Sequence, residues 1–337
     1  MEFVDLTQTP AELQQLLVKL ALAKTGETPV ITPLTGGVSS GIYRIELASG
    51  TYCLKQALPQ LKVAKEWLVP VDRVFAEIDW LNTAATVVPG NVPRVLGQDA
   101  ASKSFVMEYL AGDYKNWKTA LLAGQVDAEV ARQVGDVLGR IHQATADDEA
   151  LRTRFATDEN FYAIRLEPYL VETARVHPVL ATRLLDLVKL TQSNRKVLVH
   201  GDVSPKNIMV GAAGPVLLDA ECAWYGEPAF DVAFCLNHLL LKAAWMPQHL
   251  AALMQAYQAL VDAYFPHVDF ESPRALEQRV AHLLPALTLA RIDGKSPAEY
   301  LNDNARGRIR TAAISLLQSP ADQLSQIRDY WTKEFSI

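Results

Sequence analysis

Cysteine is scarce: Cys53, Cys222 and Cys235 are the three in a chain of 337 residues. They form no CxxC pair and have no histidine partners at zinc-site spacing. That argues against a disulfide framework or a structural zinc and fits a reducing cytoplasm. Positive charge is not in excess either. Thirty-two Lys+Arg against 38 Asp+Glu give a formal net charge of −6, with no basic tract, which argues against broad binding to a nucleic-acid backbone. The first residues, MEFVDLTQTP, lack a basic stretch followed by an apolar one, so no secretory signal is read there. Long apolar runs are missing as well. The longest, residues 230–246, carries Asp231, His238 and Lys242; it is too polar to span a bilayer and reads as a buried core helix. No internal repeat and no low-complexity tract is present.

What remains is ample material for a core: half of the residues are hydrophobic and 21% are charged. Leu13, Leu16, Leu17 and Leu20 recur at helical spacing within residues 10–24. From Val30 the period changes. Residues 30–34, 42–47 and 51–55 alternate as strands do, and residues 94–97 and 104–109 read as two more. A glycine-serine loop fills residues 35–41, and residues 72–85 read as a helix. After Gly112 the character turns helical, with Val130, Val134, Val137, Leu138 and Ile141 on one face of a helix ending near His142. A short β-rich island interrupts at residues 197–219. The composition shift predicts two lobes, residues 1–110 and 111–337, with a cleft between them for a ligand.

The densest chemistry lies in VHGDVSPKNIM at 199–209 and VLLDAE at 216–221. Two short apolar strands, residues 208–210 and 216–218, predict a hairpin about the turn at 211–214. Asp202 and Asn207 precede the first strand and Asp219 ends the second, so closure gathers three oxygen-bearing side chains at one end. Oxygen ligands beside a phosphate suit Mg²⁺, which takes one or two protein carboxylates and keeps several waters. Asp202 followed five residues later by Asn207 repeats the spacing of a kinase catalytic loop, where the Asp accepts a hydroxyl proton and the Asn holds metal. Each carboxylate alone reads as a cap or a solvated turn; the string at this spacing carries the signal.

These residues bring a resemblance into view. HGDVSPKN at 200–207, LDAE at 218–221 and Phe230 with Asp231 resemble the aminoglycoside phosphotransferase and choline kinase superfamily, as do GGVSS at 36–40, LKQ at 54–56 and VMEYL at 106–110. The anchors run from about residue 30 to 240. KQALP at 55–59, with Glu66, Trp67 and Arg73, is similar to the methylthioribose kinases of that superfamily, whereas VSPK at 203–206 departs from their LHTG.

The resemblance implies an α+β, two-lobed protein-kinase-like fold with a β-rich N-lobe and a mainly helical C-lobe. It implies ATP as phosphoryl donor, Mg²⁺, and a small-molecule hydroxyl acceptor: a 5-methylthioribose-like sugar, a choline-like amino alcohol or an aminoglycoside. Neither nucleic acid nor membrane is an expected partner, and the expected location is cytoplasmic. Asp202 is then the catalytic base, and Asn207 and Asp219 are metal ligands with Glu221 beside them. Lys55 neutralises nucleotide phosphates, oriented by Glu77, with Glu66 a weaker competitor. Gly36, Gly37 and Ser39 lie in the loop whose amides approach those phosphates, and Glu108 and Leu110 bound the edge offered to adenine. Asp231 buttresses the catalytic loop, and His200 packs within it. Lys206 reads as solvated or as a contact of the transferred group. In methylthioribose kinase-like proteins arginines in the far C-terminal part of the chain face the sugar, whereas here Arg291, Asp293 and Lys295 read as a solvated helix end.

Two rival readings start from the same residues. A catalytically silent, nucleotide-binding kinase fold would have lost its base or metal ligands, yet Lys55, Asp202, Asn207 and Asp219 are all present. A serine hydrolase would use Ser39 in the G-x-S-x-G of residues 37–41, but that elbow needs a helix after it, and the sequence continues as a strand.

Overall fold

Alternation in the first third of the chain builds an antiparallel sheet. The structure, a computed structural model, describes residues 6, 8–34, 40–58 and 72–336. The readings placed on Gly36, Gly37, Ser39, Glu66 and Trp67 lie outside the described residues. The chain divides into two compact units, Met1–Asp113 and Tyr114–Ile337.

The first unit runs α1 (Pro10–Lys19), β1 (Val30–Pro33), β2 (Ser40–Leu47), β3 (Gly50–Ala57), α2 (Arg73–Val87), β4 (Val95–Asp99) and β5 (Ser104–Glu108). Its strands pair antiparallel in the order β1-β2-β3-β5-β4. Side chains of successive strand residues face opposite sides, and both sides of β3 are used. Leu54 joins Ile45 and Val106 in a core with Leu13, Leu16 and Leu17 of α1. Lys55 faces the other way, toward the buried side of α2. Helix α1 stops at Lys19, short of the predicted Lys24. Ala21 takes a φ of 58°, and the amides of Leu22 and Ala23 turn back onto the Leu17 carbonyl. That left-handed turn ends the helix before Gly26 is reached.

The second unit begins with β6 (Lys115–Asn116), α3 (Trp117–Leu122), α4 (Ala128–Ala144), α5 (Glu149–Arg154) and α6 (Asp158–Phe161). A π-helical segment, Tyr162–Val171, carries Pro168 inside it and leads to α7 (Glu172–Val176) and α8 (Ala181–Ser193). The β-rich island is β7 (Val197–Val199), β8 (Ile208–Gly211), β9 (Gly214–Leu217) and β10 (Trp224–Gly226). Then follow α9 (Pro228–Trp245), α10 (Leu250–Tyr264), α11 (Pro273–Asp293), α12 (Asp303–Gln318) and α13 (Leu324–Phe335). The apolar run of residues 230–246 is the body of α9, whose residues from Pro228 to Ala244 are all buried. Glu227 caps it by accepting from the Ala229 amide, and Pro228 fits its first turn. Among the described residues no single helix is long and apolar enough to cross a membrane.

Helix α4 meets α10 at Gly135, where an added Cβ would stand 2.3 Å from the Leu260 main-chain oxygen. Backbone meets backbone there, so no side chain can yield. Gly135→Ala is expected to destabilise the chain by about 2–3 kcal/mol, the usual cost of overpacking. The measurement is the urea midpoint at unchanged slope; an unmoved midpoint would show that the two helices separate freely.

Candidate active site

In the first unit, strand β3 and helix α2 bring one pair of opposite charges together. Lys55 Nζ donates to Glu77 Oε1 at 2.8 Å and lies 2.7 Å from Oε2. Both side chains are 2% exposed, so each charge depends on its partner to be tolerated inside the protein. At the end of β5 the Glu108 amide donates to the Arg94 carbonyl within the same unit, and Glu108 and Leu110 are half-buried.

In the second unit the hairpin β8–β9 pairs Ile208 with Leu217 and Gly211 with Gly214, which puts its turn at residues 211–214 as expected. The ladder continues one step further, because the Leu218 amide donates to the Asn207 carbonyl at 2.8 Å. Asn207 and Asp219 are thereby brought to the same end of the ribbon. The Asn207 side-chain amide donates to the Asp202 carbonyl at 3.1 Å, which ties the loop to that end. His200 Nε2 lies 3.1 Å from the Leu218 carbonyl and its Nδ1 accepts from the Asp202 amide. Asp219 takes a φ of 67°, a left-handed conformation that Asp tolerates better than most residues and that collects at functional sites. Glu221 is half-buried, and its main-chain oxygen accepts from Asn160 Nδ2.

The loop is fixed from beneath by Asp231, fully buried at the start of α9. Its carboxylate accepts from the His200 amide at 2.7 Å and the Gly201 amide at 2.8 Å. His142 lies 3.4 Å from the same carboxylate, and its other ring nitrogen meets Tyr264 Oη at 2.8 Å. Gly201 has a φ of 79°, and a Cβ there would stand 2.6 Å from the Cys222 carbonyl oxygen. Only glycine meets both conditions.

Asp202 is 4% exposed. Its Oδ2 lies 2.8 Å from an Arg165 guanidinium nitrogen and 3.2 Å from Lys206 Nζ. Burial alone would raise its pKa; the charges of Arg165 and Lys206 outweigh that and hold the carboxyl below its ordinary range. Arg165, on the π-helical segment, also donates Nε to the Gly201 carbonyl. The sequence reading missed it. The available signal was a lone arginine inside the apolar AIRL of residues 163–166, since a buried cation needs a partner. Lys206, read as solvated or as a contact of the transferred group, has a half-exposed side chain with its ammonium on Asp202.

The expected solvated helix end at 291–295 is instead tied down. Asp293 pairs with Arg310 at 2.7 Å and His177 at 2.8 Å, and Lys295 pairs with Glu167. Arg291 is part-buried and donates to the Ser296 hydroxyl. Residue types alone do not show which of these charges find partners from distant helices.

Among the described residues no three His, Cys, Asp or Glu side chains form a metal-holding group. Asn207 and Asp219 supply oxygen donors of two kinds. The Asn207 amide nitrogen is engaged with Asp202, which leaves its side-chain oxygen as the remaining donor atom. Few protein ligands, all oxygen, is a donor set that fits Mg²⁺.

Comparison with known proteins identifies the family. The sequence profile of the phosphotransferase enzyme family matches residues 30–275. A methylthioribose kinase of Yersinia enterocolitica is 27% identical over 237 residues, 61% of this chain and 58% of that protein. One from Pectobacterium atrosepticum is 26% identical over 227 residues, 59% and 56% of the two. The chain thus spans somewhat more than half the length of these relatives. Among solved structures, an amicoumacin kinase in complex with AMP-PNP, Ca²⁺ and Ami superposes with a TM-score of 0.58 at 15% identity, covering 94% of this chain and 97% of that one. An ethanolamine kinase of Plasmodium vivax gives 0.58 at 12%, covering 95% and 97%. At these identities the likeness is one of fold: a kinase-like β-sheet region followed by a mainly helical one.

Proposed function

The chain belongs to the phosphotransferase enzyme family, and from that premise we propose that it transfers the γ-phosphoryl group of ATP to a hydroxyl of a small molecule. A methylthioribose-like sugar stands first among acceptors, on the names of the relatives. The observation that carries the reading is Asp202, a buried carboxylate kept ionised by Arg165 and Lys206, at the hairpin end that holds Asn207 and Asp219.

Asp202 orients the acceptor hydroxyl and takes its proton as the new P–O bond forms and the bond to the β-phosphate oxygen breaks. A carboxylate this acidic is a weak base, which suits a loose transition state in which the proton leaves late. Asn207 and Asp219, with Glu221 nearby, would hold a divalent cation, Mg²⁺ in this proposal. That ion supplies charge neutralisation on the β- and γ-phosphates. Lys55, oriented by Glu77, neutralises nucleotide phosphate charge. With the Glu108 amide occupied by Arg94, the main-chain edge proposed for adenine falls to the Leu110 amide and the Glu108 carbonyl. Gly36, Gly37 and Ser39 keep their proposed place beside the phosphates on sequence grounds.

The test is a coupled ADP-release assay over sugars, amino alcohols and aminoglycosides. ADP release should depend on an acceptor, stop with EDTA and return with Mg²⁺. ADP release independent of any acceptor, or unaffected by EDTA, would overturn the reading.

A further inference from the structure

Four residues recur at four-residue spacing along α9: Phe230, Phe234, His238 and Lys242. Such positions lie on neighbouring stretches of one helix face. The rings of Phe230 and Phe234 are 5.5 Å apart, as are those of Phe234 and His238. This ladder starts at the candidate active site. The Arg165 guanidinium, which holds Asp202, lies 5.7 Å from the centre of the Phe234 ring.

The ladder ends in positive charge. Lys242 is 1% exposed. Its ammonium makes one long hydrogen bond, 3.3 Å to the His238 carbonyl, and sits 5.2 Å from the centre of the Tyr300 ring. An ammonium has three donors, and among the described residues no carboxylate lies within ion-pair reach of this one. Burial, then the nearby charges of Lys118 and Arg291, push its pKa down to about 7; Glu299 acts weakly in the opposite direction. Lys118 is paired with Glu299, but Arg291 has no carboxylate partner among the described residues and its Nε has no partner. Tyr300 Oη is also buried without a partner. The charges acting on His238 are Lys242, Arg291, Lys206 and Lys118, all positive. The ring nitrogens of His238 have no hydrogen-bond partner among the described residues.

Interiors rarely keep cations unpaired, because an unpaired buried charge is among the costliest features a fold can hold. Here a guanidinium, an amine that burial has brought to the edge of deprotonation, a neutral imidazole and a phenol share one neighbourhood, and every one of them has an unused donor. We propose that this cluster, His238, Lys242, Arg291 and Tyr300, is a subsite for an oxyanion, a carboxylate or a phosphate monoester, carried by the acceptor whose hydroxyl Asp202 receives. The second half of that statement rests on the phosphotransferase reading; the anion subsite itself does not. Cationic acceptors such as amino alcohols and aminoglycosides would meet like charge here, and a neutral methylthioribose-like sugar would leave the subsite unfilled, so this inference places an anionic hydroxyl acceptor ahead of it.

The experiment uses thermal unfolding of the full chain at pH 7, with sodium acetate, sodium phosphate, sodium chloride and choline chloride at matched ionic strength. Acetate or phosphate should raise the midpoint by about 2–4 °C over sodium chloride, and choline should not. The acetate and phosphate arms separate a carboxylate from a phosphate ligand. Lys242→Met should abolish the increment, and Tyr300→Phe, a variant that keeps the ring packing, should reduce it. Equal increments in wild type and both variants, or none in wild type, would overturn the subsite.

Turnover is then compared on glycerate, glycerol and 3-aminopropane-1,2-diol, which share a hydroxyl-bearing frame and differ in charge. Preference for glycerate supports the assignment to the acceptor, and preference for the amine overturns it. If the anion increment is absent while some acceptor is phosphorylated, this inference alone fails. If the increment is present while no acceptor of any charge is phosphorylated, the subsite stands and the kinase reading fails.

Discussion

Asp202→Asn is expected to lower kcat by about 10²–10⁴-fold, the range that a positioned proton acceptor supplies, while nucleotide affinity stays within about twofold of wild type. Asparagine keeps the shape of aspartate but cannot take a proton at neutral pH. The variant has a second consequence. Arg165, 8% exposed, loses the carboxylate 2.8 Å away and becomes an uncompensated buried cation, which costs about 3 kcal/mol of stability. Rates must therefore be read well below the unfolding midpoint. Asp202→Glu separates the two effects. It restores the negative charge beside Arg165, and with it most of the stability, but displaces the carboxylate by about one methylene, enough to cost about 10²-fold in rate. If Asp202→Asn turned over within a few-fold of wild type at full foldedness, Asp202 would not be the base, and the acceptor proton would have to leave to another group.

That prediction draws on a residue the sequence displayed and one it concealed. Asp202, Asn207 and Asp219 were legible because a hairpin is a local object: short apolar strands, a glycine turn and polar residues at one end fix their own neighbourhood. Lys55 was legible for a similar reason. It follows the apolar Leu54 in a strand whose period is two, so it must face away from the core that Leu54 joins. Arg165 was concealed. Its segment is π-helical, so the 3.6-residue period that marks other helices does not place its side chains, and its partner stands 37 positions away in the chain. His142 was legible as the end of an amphipathic helix, but its contact with Asp231 and Tyr264 needs helices α4, α9 and α10 to meet. That Lys242 has no carboxylate partner among the described residues was the least legible. A lysine in an apolar helix signals a buried charge, but the absence of a partner is a property of the assembled fold.

Lys55→Met is expected to destabilise the first unit by about 3–5 kcal/mol, the cost of leaving one member of a buried ion pair without the other. Methionine fills most of the lysine volume, so the loss reports charge rather than cavity. The sign is set by Glu77: at 2% exposure, loss of the ammonium 2.7 Å away makes its ionised form harder to keep inside the protein, and taking up a proton is unfavourable as well. The double variant Lys55→Met/Glu77→Met removes both charges and should recover most of that stability, because an apolar pair of similar volume replaces a desolvated one. Activity should not follow. The proposed duty of Lys55 is to neutralise nucleotide phosphates, and two methionines cannot do that, so nucleotide affinity and kcat/KM should stay depressed in both variants. Urea unfolding alongside ATP-dependent turnover reads out the two quantities separately. Recovery of both together would make the pair purely architectural, whereas stability restored without turnover assigns Lys55 to the nucleotide.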